Sequence, residues 1–171
     1  MDNKELQVLF GRLRNGDKTS FSELYSDLKT PVYTVVCRIV KARETAEDVT
    51  QELFIKLYTA PPDDSVCNIR AWIFRMARNL AIDALRKKQA SDLTEDIPDS
   101  VSEDRICTRL DLDRAVRALP LELRETVALH LNAGLSFREI AEVTNRSLPS
   151  VYRLYRKALK QLRESLNGGS R

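Results

Sequence analysis

Histidine, glycine and cysteine are scarce in this chain of 171 residues, which contains one histidine, five glycines and three cysteines. The cysteines Cys37, Cys67 and Cys107 lie far apart and form no C-x-x-C pair, so a zinc site built from one chain is not expected. An odd, sparse set of cysteines is typical of a reducing cytosol. Too few histidines and glycines remain for a nucleophile with its base or for a phosphate-binding loop. We therefore predict no catalytic residues, no metal, no cofactor and no enzymatic activity.

Long apolar segments are missing as well. No stretch approaches the ~18 consecutive apolar residues of a membrane-spanning helix. The residues after Met1 also lack the succession of basic, apolar and small residues that marks a secretion signal. The sequence thus predicts a soluble, cytoplasmic protein that neither inserts into a membrane nor takes a small-molecule substrate.

The pattern that is present is helical. Hydrophobic residues make up 43 % of the chain, and only 5 glycines and 6 prolines punctuate it, which favours long helices over many turns. A capping box at Ser20-Phe21-Ser22-Glu23 predicts a helix to about Leu28, and Pro31 is expected to begin the next one. No strand-like alternation stands out, so the fold class is all-α. Apolar stripes at helical spacing predict the other helices of the first 133 residues at 3–15, 45–58, 68–89, 110–119 and 121–133.

Charged residues are unevenly distributed. Residues 1–90 carry 15 basic and 12 acidic side chains, and residues 105–171 carry 13 basic and 7 acidic ones. Between them, residues 91–104 hold six acids and no base. That stretch has too little apolar content to offset the entropy cost of ordering it. We therefore expect two small helical domains, 1–90 and 107–171, joined by a flexible acidic linker at 91–106. The two basic blocks suggest a polyanionic partner.

The stretch GLSFREIAEVTNRSLPSVYRLYRKAL, residues 134–159, predicts two short helices with a tight turn. A capping box at Ser136-Phe137-Arg138-Glu139 begins the first helix, and Asn145 tolerates the left-handed conformation that would end it. The second helix has one apolar face and an opposite cationic face, as a helix-turn-helix presents to the major groove. The alternative is a helical hairpin whose charged face is merely solvated. The candidate DNA contacts are Ser147, Pro149, Ser150, Tyr152, Arg153, Arg156 and Lys157.

The segment ETAEDVTQELFIKLY, residues 44–58, has two kinds of surface. One helical stripe is apolar and should be buried, with Ala46, Val49, Leu53 and Leu57 on it. Phe54, Ile55 and Tyr58 lie off that stripe, beside Asp48, Gln51 and Glu52. A mixed apolar and acidic face of this kind either packs internally a second time or docks on a partner.

The segment WIFRMARNLAIDALRKK, residues 72–88, combines a core stripe with a basic side. Arg75, Asn79 and Arg86 line that side, with Arg78 nearby, and Trp72 lies close to the loop that precedes the helix. Basic groups near aromatic rings suit single-stranded nucleic acid, which binds through phosphate attraction and base stacking. The alternative is a structural tryptophan under a solvated helix.

These motifs resemble a known family. AEDVTQELF followed by WIFRMARNLAIDALR resembles the second domain of bacterial sigma factors, and ALPLELRETVALHLNAGLSFREIAEVTNRSLPSVYRLYRKALKQLR resembles their fourth domain. Two independent motifs occur in the right order, and only these two domains are present. That layout resembles the extracytoplasmic-function (ECF, group 4) sigma factors.

The resemblance implies a transcription initiation factor that binds core RNA polymerase and recognises the −10 and −35 promoter elements while aiding promoter melting. It implies polymerase contacts at Asp48, Gln51 and Glu52, to which the neighbouring Ile55 is added. The −35 element falls to the helix-turn-helix, although Leu154 and Tyr152 depart from the family pattern and leave the −35 sequence open. An anti-sigma factor is a further implied partner. The implied −10 contacts are Trp72, Arg75, Arg78, Asn79 and Arg86, with Asp83 expected to be structural.

Two other functions fit parts of the sequence. A stand-alone helix-turn-helix repressor would use the same DNA-binding helix, but it needs a dimer and palindromic sites. A helical interaction adaptor would carry its basic faces incidentally. The mixed acidic and apolar face of residues 44–58 favours a polymerase partner over both.

Overall fold

A computed structural model of the protein describes residues 1–92 and 109–168, with side chains for residues 1–88 and 112–167. Within these ranges the chain is helical and contains no strand, so the all-α prediction is confirmed. The predicted acidic linker at 91–106 lies outside the described residues except for its first two positions. The helices are α1 (Asn3–Arg14), α2 (Thr19–Val40), α3 (Arg43–Thr59), α4 (Ile69–Asp92), α5 (Arg109–Ala118), α6 (Leu121–Leu131), α7 (Phe137–Thr144) and α8 (Leu148–Gly168).

The start of α2 differs from the predicted capping box at Ser20 and Glu23. Ser20 is fully buried inside the helix, and its hydroxyl donates to the backbone carbonyl of Asp17 at 2.6 Å. The Asp17 carboxylate instead accepts the hydrogen bond from the Thr19 amide at 2.9 Å. Hydrogen bonds from Thr19 and Arg12 lower the pKa of Asp17 to about 2. The capping box was wrong because burial of Ser20 places the helix start at the preceding turn.

The proline at position 31 does not begin a new helix, since α2 runs through it without a break. An internal proline costs a helix about 3 kcal/mol, because it removes one hydrogen bond and crowds the preceding turn. The buried stripe that continues on both sides, from Leu24 and Leu28 to Val32 and Val35, offsets this cost, at about 1.5–3 kcal/mol for each fully buried side chain. Tertiary burial therefore joins the two predicted helices into one.

The helices form two groups, α1–α4 and α5–α8, that pack against each other. One apolar cluster joins the core of α1–α4 to side chains of the C-terminal helices, including Leu129, Ile140 and Val151. A smaller cluster lies within α5, α6 and α8 around Leu119 and Leu123. The two groups thus share one core, whereas the sequence indicated two separate bundles. The domain boundaries at 1–90 and 107–171 stay predictions.

A buried arginine on α6 ties the two groups together. Arg124 is 4 % exposed, and its guanidinium donates to the backbone carbonyls of Arg38 and Ile39 at the end of α2 and of Leu119 after α5. Burial lowers the pKa of Arg124 below its ordinary value. Nearby, Arg38 forms an ion pair with Asp113 on α5 at 2.5 Å. These polar contacts fix α5 and α6 on the end of α2.

We expect Arg124→Ala to lower the free energy of unfolding by on the order of 3 kcal/mol, because it leaves several buried carbonyls without a donor. Thermal unfolding followed by circular dichroism measures the change. Arg117→Ala is the matched control, since Arg117 is exposed and belongs to the same group of helices. Equal unfolding midpoints for the two variants would contradict the structural role of Arg124.

Candidate nucleic-acid and partner interfaces

The helix-turn-helix is built by local signals. The Ser136 hydroxyl accepts from the Glu139 amide at 3.3 Å, and the Glu139 carboxylate accepts from the Ser136 amide at 2.8 Å, which confirms the predicted capping box. Burial would raise the pKa of Glu139, yet hydrogen bonds from Ser136 and Asn68 outweigh it and hold that pKa below its ordinary value. Asn145 ends α7 in the left-handed conformation at φ 52°, also as predicted.

The second helix of this motif, α8, exposes a cationic face. Val151, Ala158 and Leu162 are buried as predicted, whereas Leu148 is 36 % exposed and does not belong to the buried face. The predicted −35 residues, called here the α8 face, lie just before α8 and along its first three turns. All are exposed except Ser150, which is half-buried: Ser147, Pro149, Ser150, Tyr152, Arg153, Arg156 and Lys157. Their contact with DNA stays a prediction.

An aromatic stack supports the α8 face from below. The Phe137 ring lies 4.5 Å from the ring of His130, 4.5 Å from Tyr152 and 5.0 Å from Tyr155, measured between centroids. The His130 Nδ1 lies 2.8 Å from the Leu135 carbonyl oxygen. Tyr152 is therefore held against α7 while 47 % of it stays exposed. The sequence did not reveal this support, because the rings come from three helices at unrelated spacings.

The predicted −10 residues, called here the α4 face, do not share one environment. Arg75, Asn79 and Arg86 are exposed, and Trp72 is half-buried at the first turn of α4. Arg86 lies 3.9 Å from Asp83, one turn earlier. The α3–α4 loop, residues 60–68, leads directly into this face.

Arg78 is the exception on the α4 face, because it is already bound within the chain. Its guanidinium donates two hydrogen bonds to the Glu125 carboxylate, at 2.9 and 3.3 Å. Glu125 is 1 % exposed on α6 and also lies 3.6 Å from Arg146. The sequence missed Glu125, since a lone acid in a largely apolar helix carries no sign of its partner 47 residues away. In this arrangement α6 covers Arg78.

The predicted polymerase-binding residues form one exposed face of α3. This α3 face consists of Asp48, Gln51, Glu52 and Ile55, at positions i, i+3, i+4 and i+7. Ile55 is 55 % exposed, which is high for an apolar side chain in the middle of a helix. Glu52 also forms an i,i+4 ion pair with Lys56 at 3.4 Å.

A groove of about 840 Å³ runs along the α3 face, between α2 and α3. Its walls are aromatic, with Tyr25 and Phe54 in edge contact at 4.7 Å and Phe21 and Tyr58 at 5.0 Å between centroids. Phe54 is buried, whereas Tyr58 is 42 % exposed. The two interpretations of segment 44–58 therefore apply to different residues. Phe54 packs internally, while Ile55 and Tyr58 stay on the surface.

Two further searches concern only the part of the chain that the structure describes. In residues 1–92 and 109–168, no three His, Cys, Asp or Glu side chains come together in a way that could hold a metal ion. Over the same ranges, none of the helices has both the length and the apolar content needed to cross a membrane.

Family models and relatives match both groups of helices. Sigma-70 region 2 matches residues 24–91, and Sigma-70, region 4 matches residues 109–162. The ECF RNA polymerase sigma factor SigK of Mycobacterium tuberculosis (strain ATCC 25618 / H37Rv) is 25% identical over 183 aligned positions, covering 96% of this chain and 95% of the relative. SigK of Mycobacterium ulcerans (strain Agy99) is 24% identical, covering 95% and 94%.

Solved structures have the same fold. CnrH, solved in complex with the cytosolic domain of CnrY, superposes with a TM-score of 0.74 at 22% identity, covering 97% of this chain and 99% of CnrH. RpoE of Bartonella quintana, solved with the anti-sigma factor NepR, superposes with a TM-score of 0.76 at 19% identity, covering 86% and 96%. The likeness extends over both groups of helices, including the way they are joined in one fold.

Proposed function

The chain belongs to the extracytoplasmic-function group of RNA polymerase sigma factors, and we propose that its α3, α4 and α8 faces divide the work of transcription initiation. It is a transcription initiation factor that binds core RNA polymerase and directs it to promoters. One observation carries the division of labour. The match to region 2 contains an exposed acidic and apolar face, and the match to region 4 contains an exposed cationic one.

We assign the α3 face to core polymerase. A protein partner suits it because an exposed isoleucine beside three hydrogen-bonding side chains offers apolar contact area with a polar rim. DNA does not suit it, since Asp48 and Glu52 would face phosphate groups. Gel filtration with core polymerase tests this assignment. We expect co-elution at equal stoichiometry, whereas a stand-alone repressor would elute as a separate dimer.

We assign the α4 face and the α3–α4 loop to the −10 element, and the α8 face to the −35 element. Trp72 offers a ring for stacking an unpaired base, and Arg75 and Arg86 offer charge for the phosphates around it. Arg153 and Arg156 on α8 can reach guanine acceptors in the major groove, while Lys157 supplies phosphate attraction.

The two DNA-binding faces must separate before one promoter can occupy both. Elements about 25 base pairs apart are roughly 85 Å apart at 3.4 Å per base pair. A compact chain of 171 residues is only roughly 40 Å across. Because the two groups of helices share one core here, the chain has to open between α4 and α6. Opening also releases Arg78 from Glu125, so the last −10 residue becomes available in the same step.

Other features of the proposed function follow from this role. The chain acts in the cytoplasm, where polymerase and promoter are found, and it is not an enzyme, since it recognises and positions its partners without converting them. An anti-sigma factor is a further proposed partner. Support comes from the related folds, because RpoE was solved with the anti-sigma factor NepR. A protein that covers both groups of helices would hold the chain closed.

We expect Arg153→Ala to weaken −35 binding by about 1–3 kcal/mol if the guanidinium contacts a guanine bidentately. Binding of the full chain to −35 duplexes with single base changes measures it, and Arg163→Ala, an exposed arginine further along α8, is the control. A base contact relaxes specificity at one position, whereas a phosphate contact weakens all duplexes alike and lowers the salt dependence. Wild-type transcription after Ala replacement of Arg153, Arg156 and Lys157 together would refute a DNA role for α8.

A further inference from the structure

Helix α1 holds the α3–α4 loop at both of its ends. At the C-terminal end of α1, the Arg14 guanidinium donates to the backbone carbonyl of Pro62 and pairs with the carboxylate of Asp64. At the N-terminal end, the Asn3 side-chain amide donates to the backbone carbonyl of Cys67 at 2.8 Å. The loop is thus fixed from outside, by a helix that precedes it by about 50 to 60 residues along the chain.

Asn3 also caps the helix that follows the loop. Its side-chain oxygen accepts from the backbone amide of Ile69 at 2.8 Å and from that of Arg70 at 3.4 Å. The first amides of a helix lack partners within the helix, and the residue just before it usually supplies one. Here a distant residue shares that task. Trp72 lies in the same first turn, with its amide bonded to the Asn68 carbonyl at 3.0 Å, so the place of Trp72 depends on Asn3.

Helix α1 is itself firmly held, which makes it a rigid brace. Leu6 and Phe10 are fully buried in the main apolar cluster, and Asp2 and Glu5 close a capping box at its start. Asn3 and Arg14 are the first and last residues of this 12-residue helix and lie roughly 16 Å apart along its axis at 1.5 Å per residue. A brace of fixed length between the two ends of a loop limits the shapes that the loop can adopt.

We propose that α1 positions the −10 recognition loop, with Asn3 and Arg14 as positioning residues for capture of the unpaired −10 bases. The inference rests on the proposed role of the α3–α4 loop and Trp72 in −10 recognition. It goes beyond the family match, because α1 lies before residue 24, where the match to region 2 begins. Neither Asn3 nor Arg14 needs to touch DNA. Each acts by holding backbone that does.

The test compares variants of the full chain, reconstituted with core polymerase, on the promoter that gives its strongest run-off transcript. Open-complex formation is followed by 2-aminopurine fluorescence in the −10 element, on that promoter and on a version with one −10 base changed. The ratio of the two rates is the −10 discrimination. We expect Asn3→Ala and Arg14→Ala each to lower this ratio roughly 5- to 10-fold, since each removes one or two hydrogen bonds. Core affinity should stay at the wild-type value.

Arg12→Ala is the matched control, because Arg12 is on the same helix but pairs with Asp17 and Glu23 instead of the loop. Arg14→Lys keeps the charge and a donor and should restore part of the discrimination. A ratio for Asn3→Ala and Arg14→Ala equal to that of Arg12→Ala overturns the inference. So does a fall matched by an equal loss of core affinity and thermal stability, since α1 would then serve folding alone. Trp72→Ala separates the two levels: full discrimination in that variant means that the proposed −10 function itself is wrong.

Discussion

Replacing Asp48 by lysine and Ile55 by alanine should abolish binding to core RNA polymerase, with a loss of at least about 100-fold, while the helical circular dichroism signal is kept. Truncation of a central apolar anchor typically costs 2 kcal/mol or more. Reversal of a partly desolvated charge costs about 2–5 kcal/mol more. Both side chains are exposed on α3, so neither change removes a contact on which the fold depends.

The control for this double variant makes the same two kinds of change elsewhere in α1–α4. Glu23→Lys with Val8→Ala reverses one exposed acid and truncates one exposed apolar side chain, at 63 % exposure for Val8, next to the groove between α1 and α2. Titration of labelled chain with core polymerase measures both. Equal affinities for the folded test and control variants would remove α3 from the polymerase interface.

Glu125→Gln should open the free chain and raise its affinity for a single-stranded −10 oligonucleotide about 10-fold or more. Removing one partner of a buried ion pair costs about 3–5 kcal/mol, and here the cost falls only on the closed arrangement, in which Arg78 binds Glu125. The open form loses nothing, since its Arg78 is solvated and free to bind phosphate. The population therefore shifts toward the form that binds the −10 strand.

Small-angle scattering and fluorescence anisotropy on the free chain measure this shift. Glu122→Gln is the control, since Glu122 is on the same helix and pairs with Arg146 but is 63 % exposed at its side chain. We expect a larger radius of gyration and tighter oligonucleotide binding for Glu125→Gln alone. If both variants behave like the wild type, the Arg78–Glu125 pair does not hold the chain closed.

The local parts of this fold could be predicted from the sequence. The capping box at Ser136 and the left-handed Asn145 are short-range signals, and the structure has both. The buried stripe of α3 through Leu53 and Leu57 likewise follows from helical periodicity alone. Such features depend on residues within one or two turns, where the sequence itself brings the interacting groups together.

The parts that could not be predicted all depend on distant residues. Pro31 was expected to begin a helix, and only the packing of both halves of α2 against other helices keeps it internal. The burial of Arg78 by Glu125 and the grip of Arg14 on the α3–α4 loop join residues 47 to 50 positions apart. Periodicity marks Arg14 and Arg78 only as polar positions, so their partners appear first in the folded chain.

Run-off transcription is the most direct test of the central claim that this chain is the promoter-specificity subunit of a polymerase. The full chain and core RNA polymerase are incubated with a library of genomic fragments, and the transcripts are mapped. We predict discrete start sites that share two upstream elements, that require both proteins, and that vanish with Asp48→Lys, Ile55→Ala. The opposite result is a chain that binds palindromic duplexes by itself and yields no core-dependent transcript, and it would contradict the account.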